Sequence, residues 1–184
     1  MLIPVKAFPL AKLRLAAALS AEQRIALARA MAERVVRACG SLPVAVVCDD
    51  TEVADWARNL GALVVWAPER GLNHAVQDGV AHLAQLGVAR VTVAHGDLPL
   101  AEDLAWVSDW HGVTLVPDRR EDGTTVIGVP TECGFVFSYG PGSYRRHVSE
   151  AERLGVDLRV VRSPALSWDV DLPADLAALA TAPI

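Results

Sequence analysis

Arg90-Val91-Thr92-Val93-Ala94-His95-Gly96-Asp97-Leu98-Pro99-Leu100 is a β-branched apolar run that ends at once in a carboxylate, set between Gly96 and the Leu98-Pro99 pair. Open α/β sheets bind ligands in the crevice outside the carboxyl ends of their strands. An acid at such a strand tip is a candidate metal or phosphate site. Asp is strongly favoured as the cap of a following helix, which is the better reading of this segment taken alone, so the rest of the chain must decide the role of Asp97.

On either side the chain alternates short strand-like runs with helical patterns, which predicts an α/β fold with a mainly parallel sheet flanked by helices. Residues 2–5, 44–47, 62–65 and Arg90–Ala94 read as strands. Ser20 and Gln23 form a capping box for a helix whose Ile25, Met31 and Val35 share one face. Asp50 or Thr51 caps a second helix that Gly61 stops, and residues 72–86 form a third. After Leu100 the rhythm loosens. Residues 113–116, 125–129, 134–137 and 158–161 read as strands, and Ser143–Leu154 and 173–180 as helices. No linker, repeat or low-complexity tract divides residues 1–184, so a single domain is expected.

At 184 residues the chain is long enough to bury a core without staples. Its 52% hydrophobic and 21% charged composition is that of a globular protein, and no apolar run approaches the ~20 residues of a membrane span. The start has no basic segment ahead of its apolar residues, so it reads as a first strand rather than an export signal, and a cytoplasmic protein is expected. Cys39, Cys48 and Cys133 are widely spaced and odd in number, which argues against a disulfide framework or zinc site. The net charge of −5 provides no field for nucleic acid, while local cations remain available for a small anion.

The chain has neither a P-loop nor a Gly-x-Gly-x-x-Gly dinucleotide loop, so any phosphate grip must be built otherwise. Lys6, Lys12 and Arg14 place three cations in a Pro-interrupted loop after the first strand, suited to a triphosphate and equally readable as a solvated basic loop. Asp169 and Asp171 point the same way if their segment is extended, so one of them could close on a metal held by Asp97; Asp171 also reads as a capping acid before Pro173. Mg²⁺ takes one or two carboxylates plus substrate phosphates, and Asp97 with Asp169 or Asp171 would meet that need. Gly140-Pro141-Gly142-Ser143 opens a helix and reads as an anion site or a tight turn, and Asp122-Gly123-Thr124-Thr125 is a second polar turn. Asn73, at a helix start, is a candidate for base or ribose contact or for capping, and His95 reads as a structural neighbour of the site.

Seven motifs occur in order: Val5-Lys6 with Lys12-x-Arg14-Leu15, Asp49-Asp50, Arg70-Gly71-Leu72-Asn73, His95 to Leu100, Pro117-Asp118-Arg119 with Asp122-Gly123-Thr124, Tyr139-Gly140-Pro141-Gly142-Ser143, and Asp169-x-Asp171-x-Pro173. Together they resemble the phosphoenolpyruvate or 2-phospho-L-lactate guanylyltransferase family of coenzyme F420 biosynthesis over nearly the whole chain. The resemblance implies a single-domain nucleotidyltransferase fold, related to enzymes that make sugar nucleotides and the molybdenum-cofactor dinucleotide. It also implies that GTP is joined to a small phosphorylated three-carbon acid with release of pyrophosphate. The acceptor phosphate would be held by Thr124, Gly140 and Ser143, Mg²⁺ by Asp97 and Asp171, and the nucleotide by Lys6, Lys12, Arg14 and Asn73. Lys6, Arg14 and Asp97 would carry catalysis, and a downstream transferase that receives the product is the implied partner.

Thr125, Leu13 and Leu172 depart from the family pattern, where Asn, Ser and Thr are common. The Ala- and Arg-rich composition resembles that of the bacterial members of the family, and that resemblance implies phosphoenolpyruvate rather than 2-phospho-L-lactate as the acid. A sugar-phosphate or pterin transferase on the same fold is disfavoured by the lack of a Gly-rich first loop with an early Arg. A non-catalytic GTP-binding module is disfavoured because Asp97, Asp169 and Asp171 are all present.

Overall fold

The computed structural model describes residues 1–68 and 71–179, which leaves Arg70 and the end of the 173–180 helix outside the described residues. Seven strands form one sheet: β1 (Leu2–Pro4), β2 (Ala45–Cys48), β3 (Leu63–Trp66), β4 (Arg90–Ala94), β5 (Val113–Pro117), β6 (Thr124–Pro130) and β7 (Leu158–Val160), in the order β3-β2-β1-β4-β6-β5-β7. The sheet is mainly parallel, as the alternation predicts. Only β6 runs against its neighbours, β4 and β5. The chain steps from β1 outward to β2 and β3, then returns to the other side of β1 at β4. The strand order therefore reverses between β1 and β4, and a crevice opens at their carboxyl ends.

Helices α1 (Ala21–Ala38) and α2 (Thr51–Asn59) start where their caps predict. Ser20 and Gln23 exchange both bonds of a capping box, and the Asp50 carboxylate, not Thr51, accepts from the Val53 amide. Their apolar faces bury Ala32, Val35, Val53 and Trp56 against Ile3 and Val46 on one side of the sheet. On the other side, α3 (Leu72–Gln85) and α4 (Ser143–Leu154) bury Val76, Val80, Leu83 and Ala151 against Leu2, Val47, Val93 and Leu115. Burial of each large aliphatic side chain contributes about 2 kcal/mol. A Cβ on Gly79 would lie 2.7 Å from Leu2, so this glycine lets α3 settle directly over β1. A smaller cluster of Leu15, Met31 and Val170 fastens the loop after β1 and the segment before α5 (Pro173–Leu179) to α1.

Two local features differ from the sequence reading. Residues 134–137 join no strand of the sheet. Side chains from two helices satisfy the segment instead: Gln77 of α3 takes the Phe137 amide, while Glu150 and His147 of α4 take those of Val136 and Ser138. The second feature is a β-bulge. Val116 pairs with Val126 and Pro117 with Thr124, which leaves Thr125 as the extra residue, its hydroxyl bonded to the Val116 carbonyl. A bulge re-aims the side chains beyond it, and Thr124 here reaches His147 on α4.

Candidate active site

Beyond β1 the chain makes two tight turns, Phe8–Leu10 and Leu13–Leu15, with Lys12 between them at a left-handed φ of 54°. Leu15 is anchored in its apolar cluster, and the Lys12 side chain is 7% exposed. Its ammonium lies 2.5 Å from Asp97 Oδ2 and 3.2 Å from Asp171 Oδ1. The exposed Arg14 reaches Asp171 Oδ2 at 3.5 Å. Lys6 lines the same cleft of about 390 Å³ with Lys12, Arg14, Asp97 and Asp171. A second recess of about 610 Å³, lined in part by Lys6, Val47, Asp49, Gly71 and Leu72, adjoins it over β2. The structure thus gathers five of the residues that the sequence singles out. Leu13 and Leu172 are both exposed, and Leu13 lines the cleft.

The electrostatics of the cluster favour charge on both partners. Burial alone would raise the Asp97 pKa, but Lys12 and His95 outweigh it and hold the carboxyl below its usual value. Burial likewise opposes the Lys12 charge, and Asp97 and Asp171 more than restore it. Val170 is fully buried between Asp169 and Asp171. Burial, together with Asp97, Asp171 and Asp118, pushes Asp169 up to about 6. Asp97 Oδ1 and Asp169 Oδ1 are buried without a hydrogen-bond partner among the described residues. The His95 ring lies 4.0 Å from Asp97 through Nδ1, and burial lowers its pKa.

Asp171 does not cap α5; Asp175 does. The buried Asp175 carboxylate accepts from the amides of Asp171 and Leu172 at 2.9 and 2.7 Å, and pairs with Arg119 and Arg120. Leu172 has no side-chain oxygen with which to cap, and Asp175 supplies one from within the helix. The Asp171 carboxylate is thereby left for the cleft.

The two polar turns come together as one unit. Asp118 accepts from the amides of Arg120, Asp122 and Gly123, and a Cβ on Gly123 would lie 2.7 Å from its carboxylate. Asp122 in turn accepts from Gly142 N through its carboxylate and from Tyr144 N through its carbonyl, both at 3.0 Å. Gly142 is the cap residue of α4 and Ser143 its first residue, so Ser143 is not a side-chain cap. Thr124 and Ser143 are each 2% exposed. His147 Nε2 accepts from Ser138 N at 2.9 Å, so the neutral ring carries its proton on Nδ1 and donates to Thr124 Oγ1 at 3.1 Å. The Tyr139 ring bridges the two halves of the site, with centroids 4.9 Å from His95 and 5.1 Å from His147.

Asn73 is neither the cap of α3, which is Gly71, nor left with an idle amide. Its Oδ1 accepts from Tyr139 N at 2.6 Å and its Nδ2 donates to Tyr139 O at 3.4 Å. Sequence reasoning missed Asp175 and His147. The spacing of Pro173 and Asp175, suited to a first turn and its capping acid, signals the former; nothing local signals the latter.

Residues 1–181 match the model of a family described as guanylyl transferase CofC like. A phosphoenolpyruvate guanylyltransferase of Rubrobacter xylanophilus is 36% identical over 96% of this chain and 91% of its own. Another, of Conexibacter woesei, is 37% identical over 97% of this chain and 85% of its own. Among solved structures, a Desulfovibrio desulfuricans protein assigned as a nucleotide-diphospho-sugar transferase superposes with a TM-score of 0.76 at 16% identity, covering 97% of this chain and 84% of its own. The fold is therefore that of the nucleotidyltransferases, and the chain belongs to the CofC-like guanylyl transferase family.

Proposed function

We propose that this enzyme condenses GTP with phosphoenolpyruvate, giving enolpyruvoyl-2-diphospho-5'-guanosine and pyrophosphate, in coenzyme F420 biosynthesis. The observation that carries the reading is that Tyr139 joins the cation and carboxylate cleft to the Thr124 and Ser143 turn unit. Two anionic substrates can then meet side by side. Phosphoenolpyruvate is preferred to 2-phospho-L-lactate because the relatives at 36% and 37% identity carry that name.

An acceptor phosphate is already anionic at neutral pH, so no strong general base is required. The task is to bring its oxygen in line with the α-phosphorus of GTP, where the new P–O bond forms as the bond to the departing pyrophosphate breaks. Lys6, Lys12 and Arg14 offset charge on the triphosphate and the leaving group. Thr124 accepts from His147 and so keeps its own hydroxyl proton for the acceptor phosphate. Gly140 and Ser143 flank the start of α4, where the helix dipole favours an anion.

The carboxylates fit Mg²⁺. Asp97 and Asp171 offer hard oxygens, and the unpartnered Asp97 Oδ1 and Asp169 Oδ1 are the kind of acceptor a cation would complete. Mg²⁺ bound there would neutralise charge on the phosphate oxygens. On this reading the enzyme works in the cytoplasm and passes its guanylylated product to a downstream transferase.

The test is pyrophosphate release from GTP and Mg²⁺ with phosphoenolpyruvate, 2-phospho-L-lactate or 3-phosphoglycerate offered separately, and with ATP replacing GTP as base control. Release with phosphoenolpyruvate and GTP alone is expected. Release with 2-phospho-L-lactate alone changes the acid, and silence with all three removes the reading.

A further inference from the structure

We infer that Asn73 is a positioning residue for the acceptor half of the site, fixing Tyr139 and the turn that follows it rather than touching the nucleotide. The inference rests on reading Gly140 to Ser143 as part of the acceptor pocket. Both polar atoms of the Asn73 carboxamide are spent on the backbone of one residue, Tyr139, as a neighbouring β-strand would spend its own amide and carbonyl. A base or ribose contact would have to share or surrender one of these bonds.

The latch is part of a regular zipper. Gln77, one turn further along the same face of α3, repeats it, accepting from Phe137 N at 3.3 Å and donating to Phe135 O at 3.2 Å. Helix α4 holds the alternate residues: Glu150 takes the Val136 amide, His147 the Ser138 amide, and Arg146 donates to the Ser138 carbonyl. Backbone without a strand neighbour must find its partners elsewhere, and here each helix supplies one edge. Asn73 holds the last rung before Gly140. The Tyr139 hydroxyl is buried without a partner among the described residues, so Tyr139 is anchored by its backbone bonds and ring packing. Loss of the Asn73 bonds frees the residue that joins the two substrate sites.

The test compares Asn73→Ala, Asn73→Asp and Gln77→Ala with the native enzyme by the KM for acid and for GTP. Asn73→Ala is expected to raise the KM for acid about tenfold, the effect of losing one such hydrogen bond, with the GTP value changed less than about twofold. Asn73→Asp keeps an oxygen for the Tyr139 amide but offers no donor to the Tyr139 carbonyl, so it should recover part of the loss. Gln77→Ala, two rungs away, should give a smaller change of the same kind. A GTP KM that rises as much as that for acid overturns the inference, as does a fall in kcat with both KM values unchanged. Amide exchange provides a readout independent of the substrate. Without ligands, the Tyr139 amide should exchange about tenfold faster in Asn73→Ala, or in Asn73→Ser, whose hydroxyl is too short to reach it, if the alanine variant does not fold, and at close to the native rate in Asn73→Asp, which keeps its acceptor. Unchanged exchange removes the latch even if the reaction is confirmed. A native enzyme inactive with every acid removes the reaction and leaves exchange to decide the latch.

Discussion

The Lys12 ammonium lies between Asp97 and Asp171, 2.5 Å from the first carboxylate and 3.2 Å from the second. A lysine and a divalent cation would compete for the same oxygens, so under the proposed function Lys12 would hold the two acids together in the absence of metal and triphosphate. Lys12 holds this position from a left-handed backbone, a conformation non-glycine residues adopt at a cost that surrounding contacts must offset.

Lys12→Ala should therefore raise the affinity for Mn²⁺ in the absence of nucleotide by at least about tenfold, because the carboxylates lose their resident cation. Turnover with GTP should fall, since the triphosphate loses the same charge. Electron paramagnetic resonance titration of Mn²⁺ measures the first effect. Unchanged or weaker affinity would place the metal away from Asp97 and Asp171.

Asp97→Asn keeps the size of the side chain and removes its charge. Turnover should fall about a thousandfold, the scale of losing one preorganised electrostatic contact to the reacting phosphates. The thermal midpoint should stay close to native, because Lys12 keeps Asp171 as a partner. Near-native turnover would remove Asp97 from the site.

The first half of the fold is legible in the sequence because its helices carry their own boundary signals, such as Ser20 with Gln23, Asp50 and Gly61. The alternation of Phe135, Phe137 and Tyr139 is equally legible, but period two reports an extended backbone with one buried face, not the source of its hydrogen bonds. Those come from α3 and α4, so the expected strand is a strap. In the site, Lys12, Arg14, Asp97 and Asp171 stand out because each sits at a strand end or in a turn where a charged side chain has a reason to be. Asn73 is visible as a polar residue at a helix start, while its partner Tyr139, 66 residues away, is not. The meaning of Thr124 depends on a bulge that no local pattern announces.

Asp175→Ala tests how the acid cluster is held in place. The substitution leaves the amides of Asp171 and Leu172 without their acceptor and Arg119 and Arg120 without their shared carboxylate. Breaking a buried pair of this kind costs about 3 kcal/mol, which urea denaturation would register. Activity should fall as well, because the Asp171 backbone loses its anchor. A variant with native stability would show that the capping bonds contribute little.

His147 ties stability to pH. Burial, Arg146 and His95 lower its pKa to about 4 from an ordinary 6.5, and protonating Nε2 would also break its bond from the Ser138 amide. Between these two values the unfolded chain binds a proton that the folded chain refuses, so stability rises with pH across the window and is lost on acidification. The loss between about pH 7 and about pH 5 should be about 2 kcal/mol from this residue alone. His147→Gln retains an acceptor for Ser138 and a donor for Thr124 without a titrating ring. Its urea midpoints should therefore depend less on pH over this interval than those of the native chain. An equal slope in both proteins would mean that His147 accepts its proton without unfolding cost. In that case the bond to Thr124, which this reading uses to aim the hydroxyl at the acceptor phosphate, would not depend on a neutral ring.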